Sequence, residues 1–287
     1  MIANNFQWAA LCSFSVLPKF RNSLLLVPLL LLASGRMAAV GPPTDPAVAD
    51  ELKQLNDQTI IGNRVSLDTG WDHYKEGAEK VTWTVAAQWG WQVSDSQDWG
   101  IRLRLPFAYH RSDQALDYAE VGGFGDAEIG TGTAFRLNDA WRTGGGIELH
   151  ADTASDRALA EEVWRLKPGW GIAHDFTKWF SGSFSADYNH SIAEEEGVRP
   201  HRYLELSLPA TLIFPQAWSI NAKYKASIDF ENGDRWSHTL TAGVAKRLSK
   251  APIVLSATLG KSLSGSAKRF TASLSIVYYF QRYHSPK

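Results

Sequence analysis

Residues 81–93 read VTWTVAAQWGWQV. In an extended chain Val81, Trp83, Val85, Ala87, Trp89, Trp91 and Val93 share one face, while Thr82, Thr84, Ala86, Gln88, Gly90 and Gln92 share the other. Successive side chains of a strand point to opposite sides, so the stretch is a ribbon with one apolar and one polar face. Residues 99–110 (WGIRLRLPFAYH) and 218–230 (WSINAKYKASIDF) repeat the pattern. An apolar face about seven alternate positions long exceeds the usual strand of about five or six residues in a soluble sheet. It suits a strand with lipid on one side and water on the other.

The same period divides the chain into twelve segments: 63–74, 81–93, 99–111, 125–137, 141–151, 164–176, 179–190, 202–214, 218–230, 235–248, 252–262 and 269–280. The first, sixth, seventh and eleventh alternate less cleanly, which leaves ten or fourteen strands open. Odd-numbered connections have 6, 13, 12, 11, 4 and 6 residues, and even-numbered ones 5, 3, 2, 3 and 3. Short turns at one end and longer loops at the other are expected of a bacterial barrel with both termini in the periplasm. Trp99, Trp141, Trp179 and Trp218 each open a strand after a short turn, spaced 42, 38 and 39 residues apart. Indole rings favour the headgroup level of a bilayer, so these four look like half of an aromatic girdle. The expected fold is therefore all-β: an antiparallel up-and-down transmembrane β-barrel of about twelve strands.

One apolar run, residues 24–33 (LLLVPLLLLA), follows Lys19 and Arg21 and precedes small residues at 33–35 and 38–39. It is too short to span a bilayer and has the layout of a secretory signal. Residues 1–39 are the expected signal peptide, with cleavage after Gly35 or Ala39. The only cysteine, Cys12, lies in this leader, which excludes a disulfide scaffold and thiol chemistry from the mature chain. Beyond residue 36 there remain 26 basic and 30 acidic side chains, a balance that gives no support for nucleic-acid binding.

Residues 40–61 separate leader from barrel. Thr44 or Asp45 can cap a helix, Pro46 suits its first turn, and Val48, Leu52 and Leu55 would line one side. A short periplasmic extension is expected, with a plug entering the barrel as the alternative. The barrel itself should occupy 62–280, followed by a tail at 281–287. Its last strand ends in Phe280, which is similar to the aromatic C-terminal signal read by the barrel-assembly machinery, although seven residues follow it here.

Function is to be sought on the lumen-facing positions. They include Arg64, Asp68, Asp72, Arg102, Arg104, His110, Asp126, Glu128, Arg136, Arg142, Glu148, His150, Arg165, Lys167, Asp175, Asp187, Glu205, Lys223, Lys225 and Asp229. Arg102, Arg104, Glu128, Arg142, Glu148, Lys223 and Lys225 are the expected lining of a solute path. Charges of both signs across a narrow lumen can equally pair and hold the barrel's shape. Twelve strands fall between the filled eight-stranded and the open sixteen-stranded interior. For catalysis, His110 with Ser112 and His190 with Ser191 are the candidate pairs, without flanking residues that support either. The eight histidines show no metal-ligand spacing, and Gly122–Gly125 precedes a strand rather than a phosphate-binding helix. No cofactor is expected.

Residues 123–132 (GFGDAEIGTG), followed by Ala134-Phe135-Arg136-Leu137, resemble the transporters assigned to the meta-pathway of phenol degradation. Gly144-Gly145-Gly146-Ile147-Glu148-Leu149 resembles that family's next strand, although His150-Ala151-Asp152-Thr153 departs from its usual ending. The resemblance implies an outer-membrane barrel, in contact with lipid, that passes small, often aromatic or hydrophobic, molecules. The solute stays open. The competing readings are a lipid-modifying hydrolase at the membrane rim and a closed structural or surface-interaction barrel acting through its loops.

Overall fold

The computed structural model describes residues 46–75, 77–111, 120–249 and 251–281. The expected signal peptide and the residues after Gln281 lie outside them. A helix, α1 (Pro46–Lys53), precedes thirteen strands: β1 (Asn63–Tyr74), β2 (Glu79–Ser94), β3 (Gln97–Arg111), β4 (Val121–Phe124), β5 (Glu128–Arg136), β6 (Trp141–His150), β7 (Val163–Thr177), β8 (Phe180–Glu194), β9 (Arg202–Phe214), β10 (Trp218–Asp229), β11 (Arg235–Arg247), β12 (Ile253–Ser264) and β13 (Lys268–Gln281). Each pairs antiparallel with its neighbour, and β1 pairs with both β2 and β13, so the sheet closes. Strands β4 and β5 both lie against β3, the first at Phe107–His110 and the second at Gln97–Arg104. They are two pieces of one stave, and the barrel has twelve staves.

The break within that stave is a departure from the expected continuous segment 125–137, and Pro106 explains it. The Pro106 carbonyl accepts from Gly125 N at 3.0 Å, so the backbone donor that Pro106 lacks would have faced the same stave. The ladder fails there, between Phe124 and Glu128. Ser155 N donates to Phe124 O at 2.9 Å, and the 151–162 loop thereby covers the free edge of β4.

Connections at one end run from two residues (95–96, 178–179) to five (248–252); those at the other run from three (265–267) to twelve (151–162). The long-loop rhythm is thus carried by the loops after β3, β6 and β8, and β8 reaches Glu194 where the alternation predicted an end at 190. The barrel starts at Asn63 and ends at Gln281, which face each other at the short-turn end. Every stave exposes large apolar side chains outward, among them Leu67, Val85, Leu105, Ile129, Ile147, Leu208, Leu240 and Leu274. An apolar belt around a whole closed sheet belongs against hydrocarbon. Trp99, Trp141 and Trp179 stand exposed on this outer face at the short-turn end.

Residues 46–61 lie inside the barrel, the arrangement that the plug alternative describes. The physical reason is the amphipathic face of α1. Val48, Ala49 and Leu52 pack on Ile213, Ala245, Val254, Val277 and Tyr279, which point inward at the short-turn end. That end of the lumen wall is apolar where the middle is charged. Burial of Leu52, fully inaccessible, contributes about 1.5–3 kcal/mol.

Candidate functional site: the barrel lumen

Ion pairs hold the plug where the apolar contacts stop. Arg247 Nε donates to Glu51 Oε2 at 2.8 Å, and the Tyr279 hydroxyl donates to the Glu51 carbonyl at 2.9 Å. Lys53 Nζ lies 3.0 Å from Asp175. Arg142 joins plug to wall, donating to Asp57 of the plug at 3.0 Å and to Asp175 of β7 at 2.6 Å. Asp57 also accepts from Thr59 N and Thr59 Oγ1, which turns the chain across the lumen. Arg64 Nη1 donates to the Gln54 carbonyl at 3.2 Å. Buried pairs of this kind specify position more than they stabilise, but removing one partner strands a charge.

Past Asp57 the plug meets a wall without side chains. Gly90, Gly100, Gly132, Gly146 and Gly169 face one another in register across β2, β3, β5, β6 and β7, all at inward positions. A Cβ at Gly90 or Gly100 would come within 2.6 Å of Ile61 Cγ2. A Cβ at Gly130 would meet Glu148 Cγ at 2.9 Å. The same atom at Gly169 would overlap the Asp187 carboxylate, which lies over the backbone there. The bare strip thus lets Ile61, Glu148 and Asp187 lie flat against the wall.

Toward the long loops a ladder of charges follows. Arg102 pairs with Glu148, and Arg104 Nη1 donates to Glu128 Oε2 at 2.7 Å. His150 stands between them, its ring nitrogens 3.6 Å from Glu128 and 3.7 Å from Glu148. Arg165 contacts His150 Nδ1 at 2.9 Å, the Tyr203 hydroxyl, and Glu161 at 3.0 Å. Lys225 Nζ donates to Glu205 at 2.7 Å.

The Glu128–Glu148–His150 cluster escaped sequence reasoning because its members meet only through the β5–β6 register, where Glu128 faces His150. Their donor atoms lie within 4.8 Å of one another, a spacing a metal ion could bridge. Arg102, Arg104 and Arg165 already supply the positive charge those carboxylates require, so the cluster is read as an ionic ladder.

All seven residues expected to line a solute path point inward. Arg102, Glu148 and Lys223 border a cavity of about 290 Å³ above the plug, together with Arg64, Lys167 and Asp187. Its lining also includes plug residues 54–61, the inward glycines, Gln88, Ser185 and Ser207, with Ile101, Ile147, Phe184 and Pro209 among the apolar contributors. Arg142 borders a second cavity of about 150 Å³. Arg104, Glu128 and Lys225 face the lumen in the pairs above, outside either cavity. Asp126, expected in the lumen, sits instead in the β4–β5 break. There it accepts from the backbone N–H of Thr153, Ala154 and Glu161 and fastens the 151–162 loop. His190 and Ser191 point to opposite sides of β8: the imidazole stacks outward on Tyr188 and the hydroxyl donates inward to Glu194. They form no catalytic pair. Ser112, partner of the other candidate pair, lies outside the described residues.

No protein-family model matches the chain, and no curated protein matches it by sequence. Solved structures do. The COG4313 outer membrane channel from Pseudomonas putida F1 aligns with a TM-score of 0.66 at 14% identity, over 77% of this chain and 96% of that one. The fold, a closed antiparallel β-barrel, is shared with that outer-membrane protein. The NanC porin aligns with a TM-score of 0.55 at 12% identity, over 76% of this chain and 100% of that one. At these identities the likeness concerns the fold, and both neighbours are channels rather than enzymes.

Proposed function

We propose that this chain is an outer-membrane channel through which small solutes pass passively, with residues 46–61 narrowing its lumen. The observation that carries the reading is the water-accessible cavity of about 290 Å³ inside the barrel, walled by charges and bare backbone while the outside is apolar. Solute would move past Arg102, Glu148, Lys167 and Lys223 by diffusion, with no covalent step. In this reading both termini lie in the periplasm, residues 1–39 direct export, lipid covers the outer belt, and the strand ending at Phe280 is recognised by the assembly machinery. The charged and backbone lining favours polar solutes over the hydrophobic ones that the family resemblance implies.

The test is the full chain reconstituted in planar bilayers and in liposomes. Discrete conductance steps, and swelling in small but not large sugars, are expected. Silence in both assays overturns the channel and leaves a closed structural barrel.

A further inference from the structure

The larger cavity holds an imbalance of charge that its own residues do not resolve. Seven ionisable side chains border it, four of them cationic. Arg102 is matched by Glu148, and Asp57 is committed to Arg142. Arg64 donates to the Gln54 carbonyl rather than to a carboxylate. Among the described residues, Lys167 and Lys223 have no carboxylate oxygen within 4.0 Å. Asp187, the remaining carboxylate, lies within coulombic reach of Lys167 but closes no ion pair with it. The two lysines lie on β7 and β10, within coulombic reach of each other and of Glu205 and Asp187, though neither carboxylate closes an ion pair with them. Lys225, the next cation along β10, is already neutralised by Glu205.

Two ammonium groups facing one cavity repel each other and lose hydration without a partner, which is costly unless an anion joins them. The space for that anion exists because the wall that runs from β7 beside Lys167 round to β3 is largely glycine. Seven inward glycines border the cavity, among them Gly100, Gly132, Gly146 and Gly169. A volume of about 290 Å³ lies at the lower end of the range of roughly 300–1,000 Å³ for ligand pockets, so the occupant is small.

We infer that the mid-lumen cavity is a binding site for a small organic carboxylate, held by Lys167 and Lys223 against the glycine wall. The site deepens the channel reading by naming the solute class, although binding itself does not depend on conduction. A carboxylate placed between the lysines forms two charge-assisted hydrogen bonds, and its charge offsets the excess of one cation among the seven bordering groups. Cations are disfavoured by the same pair of lysines.

The experiment titrates succinate and acetate into the detergent-solubilised full chain by calorimetry, and records reversal potentials in gradients of their potassium salts. The proteins compared are the wild type, Lys167→Gln, Lys223→Gln, the double variant, and Lys246→Gln. Lys246 serves as control because it lies on the outer face, 4.9 Å over the Trp218 ring. Binding to the wild type is expected to weaken about tenfold per lysine removed and to be unchanged in Lys246→Gln. Permeability should favour the carboxylate over potassium, a preference lost in the double variant. Absence of wild-type binding, or binding indifferent to both lysines, overturns the inference. Binding without conductance leaves this site standing and overturns the channel. Retention of the folded form on unheated gels separates a lost site from a lost fold.

Discussion

The two halves of the lumen wall share one outer face and differ inside. On β2, β3 and β5–β7 the inward positions at mid-height are glycine, in register across five strands. On β8–β10 the inward positions carry side chains, among them the buried Ser181, Ser185, Asn189, Ser207, Thr211, Ser219 and Asn221 beside the charged Asp187, Glu205, Lys223 and Lys225. The difference follows what each half must accommodate. The helical part of the plug packs on Ile213, Ala245, Val254, Val277 and Tyr279, where side chains interlock. The coil after it crosses to the other half and presses Ile61 onto Gly90 and Gly100, where only backbone fits. The lipid sets the outer face of every stave alike; the plug sets the inner face half by half.

Removing the tie between the plug and the glycine half should have the largest effect. Arg142→Ala leaves Asp57 without its cation and Asp175 with Lys53 alone, and is expected to cost about 3–5 kcal/mol of plug docking, seen as protease cleavage within 46–61. The shared outer face comes next. Leu105→Arg behind the glycine half and Leu208→Arg behind the other should each cost about 2–4 kcal/mol in urea unfolding, and unequal costs would break the symmetry claimed for the lipid side. Gly100→Val should cost about 1–3 kcal/mol by displacing Ile61, an overpacking effect with no counterpart across the lumen. Ser219→Ala should move stability by no more than about 0.5 kcal/mol, because the buried hydroxyl it deletes makes no hydrogen bond.

The outer face was the legible part of this chain. Alternation in 81–93, 99–110 and 218–230 depends on lipid and water alone, and those strands lie where the period puts them. The break before Glu128 was not legible, because the cause, Pro106, sits on the neighbouring strand and acts only once β3 and β4 are paired. Val48, Leu52 and Leu55 did show an amphipathic helix. What it would pack against was hidden, because Ile213, Val254 and Tyr279 converge only on barrel closure. The inward glycines were visible singly, as Gly90 opposite Trp89 and Trp91, but their row exists only in the register. The charged positions pointed inward as parity required; which of them pair, and that Lys167 and Lys223 do not, depends on distances between strands far apart in sequence.

The most direct test of the plug against its glycine wall is a cross-link between them. The chain has no cysteine after Cys12, so Ile61→Cys with Gly100→Cys gives a single candidate disulfide. Ile61 Cγ2 lies 2.6 Å from the Cβ position at residue 100, close enough for the two thiols to join. Oxidation of the folded protein should give a cross-linked barrel whose single-channel conductance is fixed at its lowest level and rises when reductant is added. Two thiols that stay free and alkylate at the rate of an exposed cysteine would contradict the account, since residue 61 would then lie away from the wall.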